Sequence, residues 1–590
     1  MAEKPLNVLL LTVDALRADR TSLNGYDRPT TPTLEKLAKN AIVCDRAFSL
    51  GPFTQSAAVQ MFTSTRPLSY GGYDQGAIGR PSSLFKHLKE AGYETTNLVS
   101  MHWVNRYSGY GDGVDNEIHL FTLNTLPGIA LAMVRNTLKS YEGGELTDEE
   151  MLSIAEPILM KFFADALDYC ENMIRREHEL AIEFPDSALV NGHYDYARVS
   201  KLIARHRNEF VADNLGYIRK HLIPAPDEDW MIRWLPREWR YYRKKSKLIA
   251  QGLHDLGNRA IGLFNPPLAQ ARRQRFKVYA DSPSLADKVI SILESHKGEK
   301  PFCLWAHFYD THMPYVSGRG RYWYRQTPDY LEKLGYPRDL DPAIAFTNKP
   351  LREEDWESWS ALYDAAVLTI DEAIGRIIDA LDRLDLRDST LVAIAGDHGE
   401  ELGEHGDFGH FFLLYDHNTR MPMMFHNPGM KKQRIEGLTT ILDFPATVAD
   451  LVGIDRAPGW EGLSVTDPSV ADRPQVICET FYGGNCLFEQ RPLYFGMRSK
   501  SHLYLWKEYL DPADGYSPPG PELYDSIKDP SQQDNLYRPD HPLVPQFNAI
   551  IAERMAEIPE ITDQRIIDCF GAIGSEAITR VRNIPEAMES

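Results

Sequence analysis

The sequence predicts an α/β protein: a doubly wound, mostly parallel sheet carrying a helix-rich insertion and a small C-terminal α+β domain. Three observations predict it. Short, unbroken apolar runs of strand length alternate with helical patterns. A long helix-rich stretch, about 104–285, interrupts that alternation. From about 472 the strands shorten and follow one another closely, as hairpin strands do. The 590 residues, 43% of them hydrophobic, can bury one large core and a satellite domain.

The predicted core strands, in order, are Val8 to Val13, Thr95 to Val99, Phe302 to Phe308, Leu391 to Ala395 and Pro422 to Phe425. The clearest helix is Tyr363 to Leu384, with Ala366, Ile370, Ile374, Ile377 and Leu381 on one face. The insertion changes charge along its length: Glu142 to Glu150 is acidic, whereas 219–277 carries fourteen Lys/Arg against five Asp/Glu. Val476 to Glu479, Tyr494 to Arg498 and Leu503 to Trp506 read as short antiparallel strands, followed by Glu522-Leu-Tyr-Asp525. The expected division is a catalytic α/β domain of 1–103 and 286–471, an insertion of 104–285, and a C-terminal subdomain of 472–590.

A net charge of −20 argues against a general nucleic-acid binder. It is also unfavourable for an enzyme that must attract an anion, so a local positive centre is needed, and a bound metal ion supplies one. The six cysteines, at 44, 170, 303, 478, 486 and 569, show no zinc-ligand spacing and are too sparse for a disulfide framework. They read as buried reduced thiols. The first residues, MAEKPLNVLLLTVDALRAD, have a short apolar run followed by Asp14 and Asp19 where a signal peptide needs small residues. No stretch reaches the roughly 18 apolar residues of a membrane-spanning helix. The expected location is the cytoplasm.

Three acidic or histidine clusters each follow a predicted strand. Asp14 follows the first, Asp310 and His312 follow Phe302 to Phe308, and Asp397 and His398 follow Leu391 to Ala395. Open α/β sheets bind ligands at the carboxyl ends of their strands. One Asp in such a place is more often a helix cap; three clusters together point to a metal site. Thr54 lies in Ser49-Leu-Gly-Pro-Phe-Thr-Gln-Ser-Ala-Ala, where Gly51-Pro52 marks a turn and Gln55 to Phe62 looks helical. Thr54 is then expected at the N-cap. A plain cap is the structural reading. The functional one is a hydroxyl activated by a metal ion beside a helix start that favours an oxyanion.

These segments resemble the sulfatase family of the alkaline phosphatase superfamily. Asn7 to Asp19 is similar to that family's opening strand and metal loop. Tyr363 to Asp371 followed by Ile394-Ala-Gly-Asp397-His398-Gly-Glu-Glu-Leu-Gly-Glu-His405-Gly resembles its second metal motif. Asp310-Thr-His312-Met-Pro-Tyr315 is similar to its substrate-histidine segment, and Glu522 to Pro530 with Asn535-Leu536 resembles its C-terminal signature. Two departures stand out. True sulfatases mature a cysteine to formylglycine within Cys-x-Pro-Ser-Arg, whereas here the aligned residues are Thr54-Gln-Ser-Ala-Ala58. The usual Asp pair is Asp14-Ala15.

The resemblance implies that Asp14, Thr54, Asp397 and His398 hold one divalent metal, manganese, zinc or calcium, and that Thr54 attacks the ester. It implies that His312 and His410 contact the ester oxygens or protonate the leaving group. His405 is expected either at the substrate or behind the ligands. A second ion held by Asp310, His312 and one further histidine is the alternative arrangement. A Thr nucleophile favours phosphate esters, either phosphodiesters or phosphonate monoesters. Sulfate ester hydrolysis without formylglycine, or a non-catalytic binding protein on the same fold, are the competing readings. The expected partner is an anionic ester. The stretch 230–247 interleaves three tryptophans and two tyrosines with seven basic residues. It reads as a packed helical hairpin, as a surface for a membrane or polyanion, or as a lid.

Overall fold

The computed structural model describes residues 5–558, less 185–194, most of 224–279, 345–352, 482–492, 508–519 and shorter gaps near 74, 101, 122–139, 321, 338–343, 407 and 411. The basic aromatic stretch 230–247, Cys486 and Cys569 lie outside the described residues.

An eight-stranded sheet forms the centre. Its strands are β1 (Asn7–Val13), β2 (Ala41–Phe48), β3 (Glu94–Val99), β4 (Asn116–His119), β5 (Phe302–Phe308), β6 (Thr390–Gly396), β9 (Arg420–His426) and β10 (Gln433–Thr440); β7 (Glu401–Leu402) and β8 (Phe408–Gly409) pair apart from it as a two-stranded sheet. The spatial order is β10-β2-β9-β6-β1-β5-β3-β4. All pairs are parallel except those of β9, which runs antiparallel to both β2 and β6. Every residue of β1, β5 and β6 is buried, so both faces of the sheet are covered. That is why these strands read as near-continuous apolar runs rather than in alternation. Helices Ser282–Ser295 and Glu353–Arg383 pack on each other, and Thr54–Thr63 packs on Asp443–Leu451.

Two expectations need correction. β4 falls inside 104–285, so the sheet continues past the expected start of the insertion. Its four residues, Asn-Glu-Ile-His, stand at a sheet edge and include a single apolar side chain, so they carry no apolar run. The strand around Pro422 is antiparallel, and Pro422 stands within it. Three strands of the sheet, β2, β4 and β10, were not expected from the sequence.

Between β4 and β5 stand the helices Asp148–Glu183, Tyr196–Ala212 and Asn214–His221. The first is capped by Thr147 and Glu150, each side chain receiving the other's backbone N–H. The C-terminal sheet pairs β11 (Gln475–Phe481), β12 (Leu493–Ser499), β13 (His502–Lys507) and β14 (Glu522–Asp525) antiparallel in sequence order. Helix Leu543–Glu557 follows. Cys44, Cys170, Cys303 and Cys478 are buried and unpaired, as expected. No helix among the described residues is long and apolar enough to cross a membrane.

Candidate active site and metal centre

Strand register builds the site. Val13 on β1 faces Phe308 on one side and Gly396 on the other. The residues that follow these three strands therefore emerge together at one edge. Asp14 N–H donates to Phe308 O at 2.9 Å and Asp397 N–H to Val13 O at 3.1 Å. Asp14, Asp397 and His398 are all buried.

Thr54 reaches the same point from a separate helix. The helix begins one residue earlier than expected: Thr54 is its first residue and Phe53 holds the cap position in an extended conformation. Ser56 accounts for the difference. Its hydroxyl donates to Phe53 O at 2.6 Å and accepts from Phe53 N–H at 3.4 Å, which leaves the Thr54 side chain free of capping. Gly51 makes room, since a Cβ there would overlap Ser56. Thr54 Oγ1 lies 3.1 Å from His398 Nε2 and 3.4 Å from Asp14 Oδ2.

The protonation pattern around this cluster calls for a cation. His398 Nδ1–H donates to Gly399 O at 2.8 Å. Burial, then the neighbouring His410, pushes the His398 pKa down to about 3, so the ring is neutral and Nε2 carries a lone pair. That lone pair faces Asp14 Oδ1 at 3.7 Å and Asp397 Oδ2 at 3.5 Å. Both oxygens are buried without a hydrogen-bond partner among the described residues. Burial, then the Asp14 charge, pushes the Asp397 carboxyl well up. For Asp14 burial acts upward too, but the His307 hydrogen bond and the histidine charges outweigh it and hold the group low. Ligand atoms of Asp14, Asp397 and His398 all lie within 4.8 Å of one another, and Thr54 Oγ1 stands 3.1 Å from His398 Nε2, close enough for the four to hold one ion between them. The residues fit one divalent ion.

Outside this buried set, His312 and His410 form the mouth. Their ring centroids are 4.7 Å apart, and His410 stands 4.5 Å from His398. His312 Nδ1–H donates to Met313 O at 2.7 Å, so Nε2 is its remaining atom for a ligand. His410 Nδ1 meets Glu400 Oε2 at 3.2 Å. Burial lowers the pKa of both rings.

His405 is not part of the cluster. Its Nδ1 contacts Glu401 at 3.1 Å, its Nε2 donates to Gln532 O at 3.0 Å, and the ring stacks on Tyr415 with centroids 3.7 Å apart. Both ring nitrogens are thus engaged at the joint with the C-terminal sheet. Asp310 is likewise turned away: it accepts from the backbone N–H of Ser282 at 2.8 Å and from the Ser282 hydroxyl. The geometry therefore does not favour the two-ion alternative built on Asp310.

Two residues of the site were missed by the sequence reading. His307, on β5, lies 3.4 Å from Asp14 Oδ2. Trp305 Nε1–H donates to Thr12 Oγ1 at 2.8 Å, so the Thr12 hydroxyl proton is left for His307 Nδ1 at 2.7 Å. His307 Nε2–H then donates to Asp14 and fixes its carboxylate. Glu400 is fully buried, and burial raises its carboxyl pKa to about 8. It orients His410. A histidine in an otherwise apolar strand was the available signal for the first. Glu400 had only its place two residues after His398.

Carboxylates, a histidine and a helix-borne hydroxyl at the carboxyl edge of a mostly parallel sheet define the alkaline-phosphatase-like class of α/β proteins. Within that class the chain belongs to the sulfatase family, whose model (Sulfatase) matches residues 6–148 and 226–454, well over half of the chain. Among curated relatives, it is 30% identical over 242 residues to a choline-sulfatase of Rhizobium meliloti, covering 38% of this chain and 46% of that protein. It is 26% identical over 296 residues to arylsulfatase K of Mus musculus, covering 45% and 51%. The chain thus spans about half the length of the curated relatives it matches. The fold is shared with BT4656, solved with its substrate D-glucosamine-2-N,6-O-disulfate, at a TM-score of 0.53, 14% identity, and coverage of 94% and 98%. It is shared as well with Ps i-CgsB, solved with k-i-k-neocarrahexaose, at 0.50, 14%, and coverage of 99% and 98%.

Proposed function

We propose that this chain is a metal-dependent hydrolase of phosphate esters, phosphodiesters or phosphonate monoesters, in which Thr54 is the nucleophile. The observation that carries the reading is the position of Thr54 Oγ1 between Asp14 and His398 at the start of a helix. Asp14, Thr54, Asp397 and His398 would hold one divalent ion. When bound, that ion lowers the pKa of the Thr54 hydroxyl and offsets negative charge on the ester.

Thr54 loses its hydroxyl proton to solvent, its oxygen attacks phosphorus, the bond to the leaving alcohol breaks, and a protonated histidine gives that alcohol its proton. His312 and His410 present their Nε2 atoms at the mouth. Both are neutral when the site is empty, because burial lowers their pKa. An anionic ester between them raises it again and makes either ring a competent acid. Water then cleaves the threonine ester by attack at phosphorus. Threonine cannot mature to formylglycine, so the hemiacetal route to sulfate release is closed. That is the chemical reason for ranking phosphate first.

The second reading is sulfate ester hydrolysis, and the sulfatase names of the curated relatives favour it. A panel of aryl phosphate diesters, phosphonate monoesters and sulfates, assayed side by side, separates the two. Faster turnover of the sulfate would reverse the ranking. Mass spectrometry of protein quenched during diester turnover should find the phosphoryl adduct on the peptide carrying Thr54.

A further inference from the structure

A second cationic centre lies where the C-terminal sheet meets the large one. Arg46 and Phe48 of β2, Asp416, Arg420 of β9, Arg498 of β12 and Lys500 line a cavity of about 290 Å³. Four cations meet one carboxylate there, in a protein whose net charge is −20. None of these residues belongs to the hydrolytic cluster.

Lys500 is exposed and Arg46 and Arg420 are partly buried, but Arg498 is built into the wall. Arg498 is 1% exposed. Its guanidinium lies over the Phe48 ring, 4.8 Å from the centroid, donates to Ser526 Oγ at 3.0 Å and pairs with Asp416. Arg420 donates to Asp45 O at 3.0 Å. The Nε atoms of Arg498 and Arg420 are both buried without a hydrogen-bond partner among the described residues. Burial, then Arg46, presses the Arg498 pKa down to about 9, and burial, then Arg420, presses Arg46 down. An arginine holds its proton more firmly than any other side chain. A buried excess of such charge is costly unless an anion joins it.

We propose that this cavity is a second oxyanion site that takes a group of the sulfate or phosphate class. Guanidinium forks match tetrahedral oxyanions. The volume stands at the bottom of the range for ligand pockets, roughly 300–1,000 Å³, which suits a small anion. The anion comes either free or as a second charged group of a polyanionic ester.

The test compares the full-length protein with Arg46→Gln/Arg420→Gln, neither residue touching the hydrolytic cluster. Calorimetric titration with inorganic sulfate, and separately with inorganic phosphate, should show one equivalent fewer in the variant. Turnover of a small aryl phosphodiester should stay within twofold of wild type. In sulfate-free buffer the variant should melt no lower than wild type, because it loses unneutralised charge. Equal stoichiometry in the two proteins overturns the proposal. So does a variant that melts lower yet binds the same anion. A KM for a phosphodiester carrying a second phosphate group at least tenfold higher in the variant assigns the site to a second group of the ester; an unchanged KM assigns it to the free ion. The binding arm needs no turnover, so it stands apart from the identity of the hydrolysed ester.

Discussion

At Thr54 the functional claim reduces to one oxygen. Thr54→Ala should lower turnover by at least about 10³-fold, as removal of a nucleophile does in other hydrolases, with an unchanged melting curve, because the capping is done by Ser56. A variant within tenfold of wild type would end the assignment. Ala15 adds a second residue-level test. Its φ is +51°, and its N–H donates to Asp397 Oδ1 at 2.9 Å. Alanine is disfavoured in the left-handed region, whereas aspartate is among the residues that enter it more readily. Ala15→Asp therefore restores the family's second carboxylate on a backbone that accepts it, and should slow metal loss in a chelator competition. Asp14, Thr54, His312, Asp397, His398 and His410 were legible in the sequence because motif spacing survives without coordinates. His307 and Glu400 were not, since their work depends on which face of a strand or loop they occupy. His405 stands apart from the cluster because adjacency in the motif does not decide which way a ring turns.

Ion pairs join elements that lie far apart in sequence. Glu479 on β11 receives Arg554 from helix Leu543–Glu557 at 2.7 and 2.8 Å, and also accepts Leu68 N–H at 2.9 Å. Arg554 donates further to Ser69 Oγ at 3.2 Å. Arg554→Met leaves a fully buried carboxylate without its cation and should cost about 3 kcal/mol or more. Glu479→Gln combined with Arg554→Met should cost less than the single change, and a denaturant double-mutant cycle checks this. Arg17, 1% exposed, joins the β1 loop to Glu404 at 2.7 Å and to Asp19 at 2.7 Å. Burial acts upward on the Glu404 carboxyl, but Arg17 outweighs it and holds the pKa at about 2. A depressed folded-state pKa gives stability that is present above the unfolded value of about 4.5 and is lost as pH falls towards 2. Glu404→Gln should therefore melt below wild type at pH 7, by an amount worth about 3 kcal/mol at most, and the gap should close below pH 4.5. At this scale the continuous apolar strands were readable. β2 was not, since Asp45 and Arg46 interrupt it where its register with β9 and β10 shifts.

For the molecule as a whole, the metal expectation is the most exposed to test. Dialysis against a chelator should abolish ester hydrolysis and lower the melting temperature, because an ion that binds only the folded state stabilises it by mass action. Manganese, zinc and calcium, added back singly, should differ in how fully they restore both. Full activity in metal-free protein would remove the proposed chemistry. The general architecture was legible because a buried parallel sheet leaves long apolar runs. The edges were not, because edge strands such as β4 are short and polar.

The position of β1 also has a consequence for how the protein is made. Thr12 meets His307 across 295 residues, and Ala15 meets Asp397 across 382. β1 is therefore synthesised long before either of its neighbours, β5 and β6. At roughly 5–20 residues per second, on the order of 20 s or more passes before β6 follows it from the ribosome. Throughout that time a mostly apolar strand has both hydrogen-bonding edges open. Nascent chains halted before residue 390 should be held by chaperones or aggregate, and should bind no metal at Asp14, whereas chains released after β6 escape that fate.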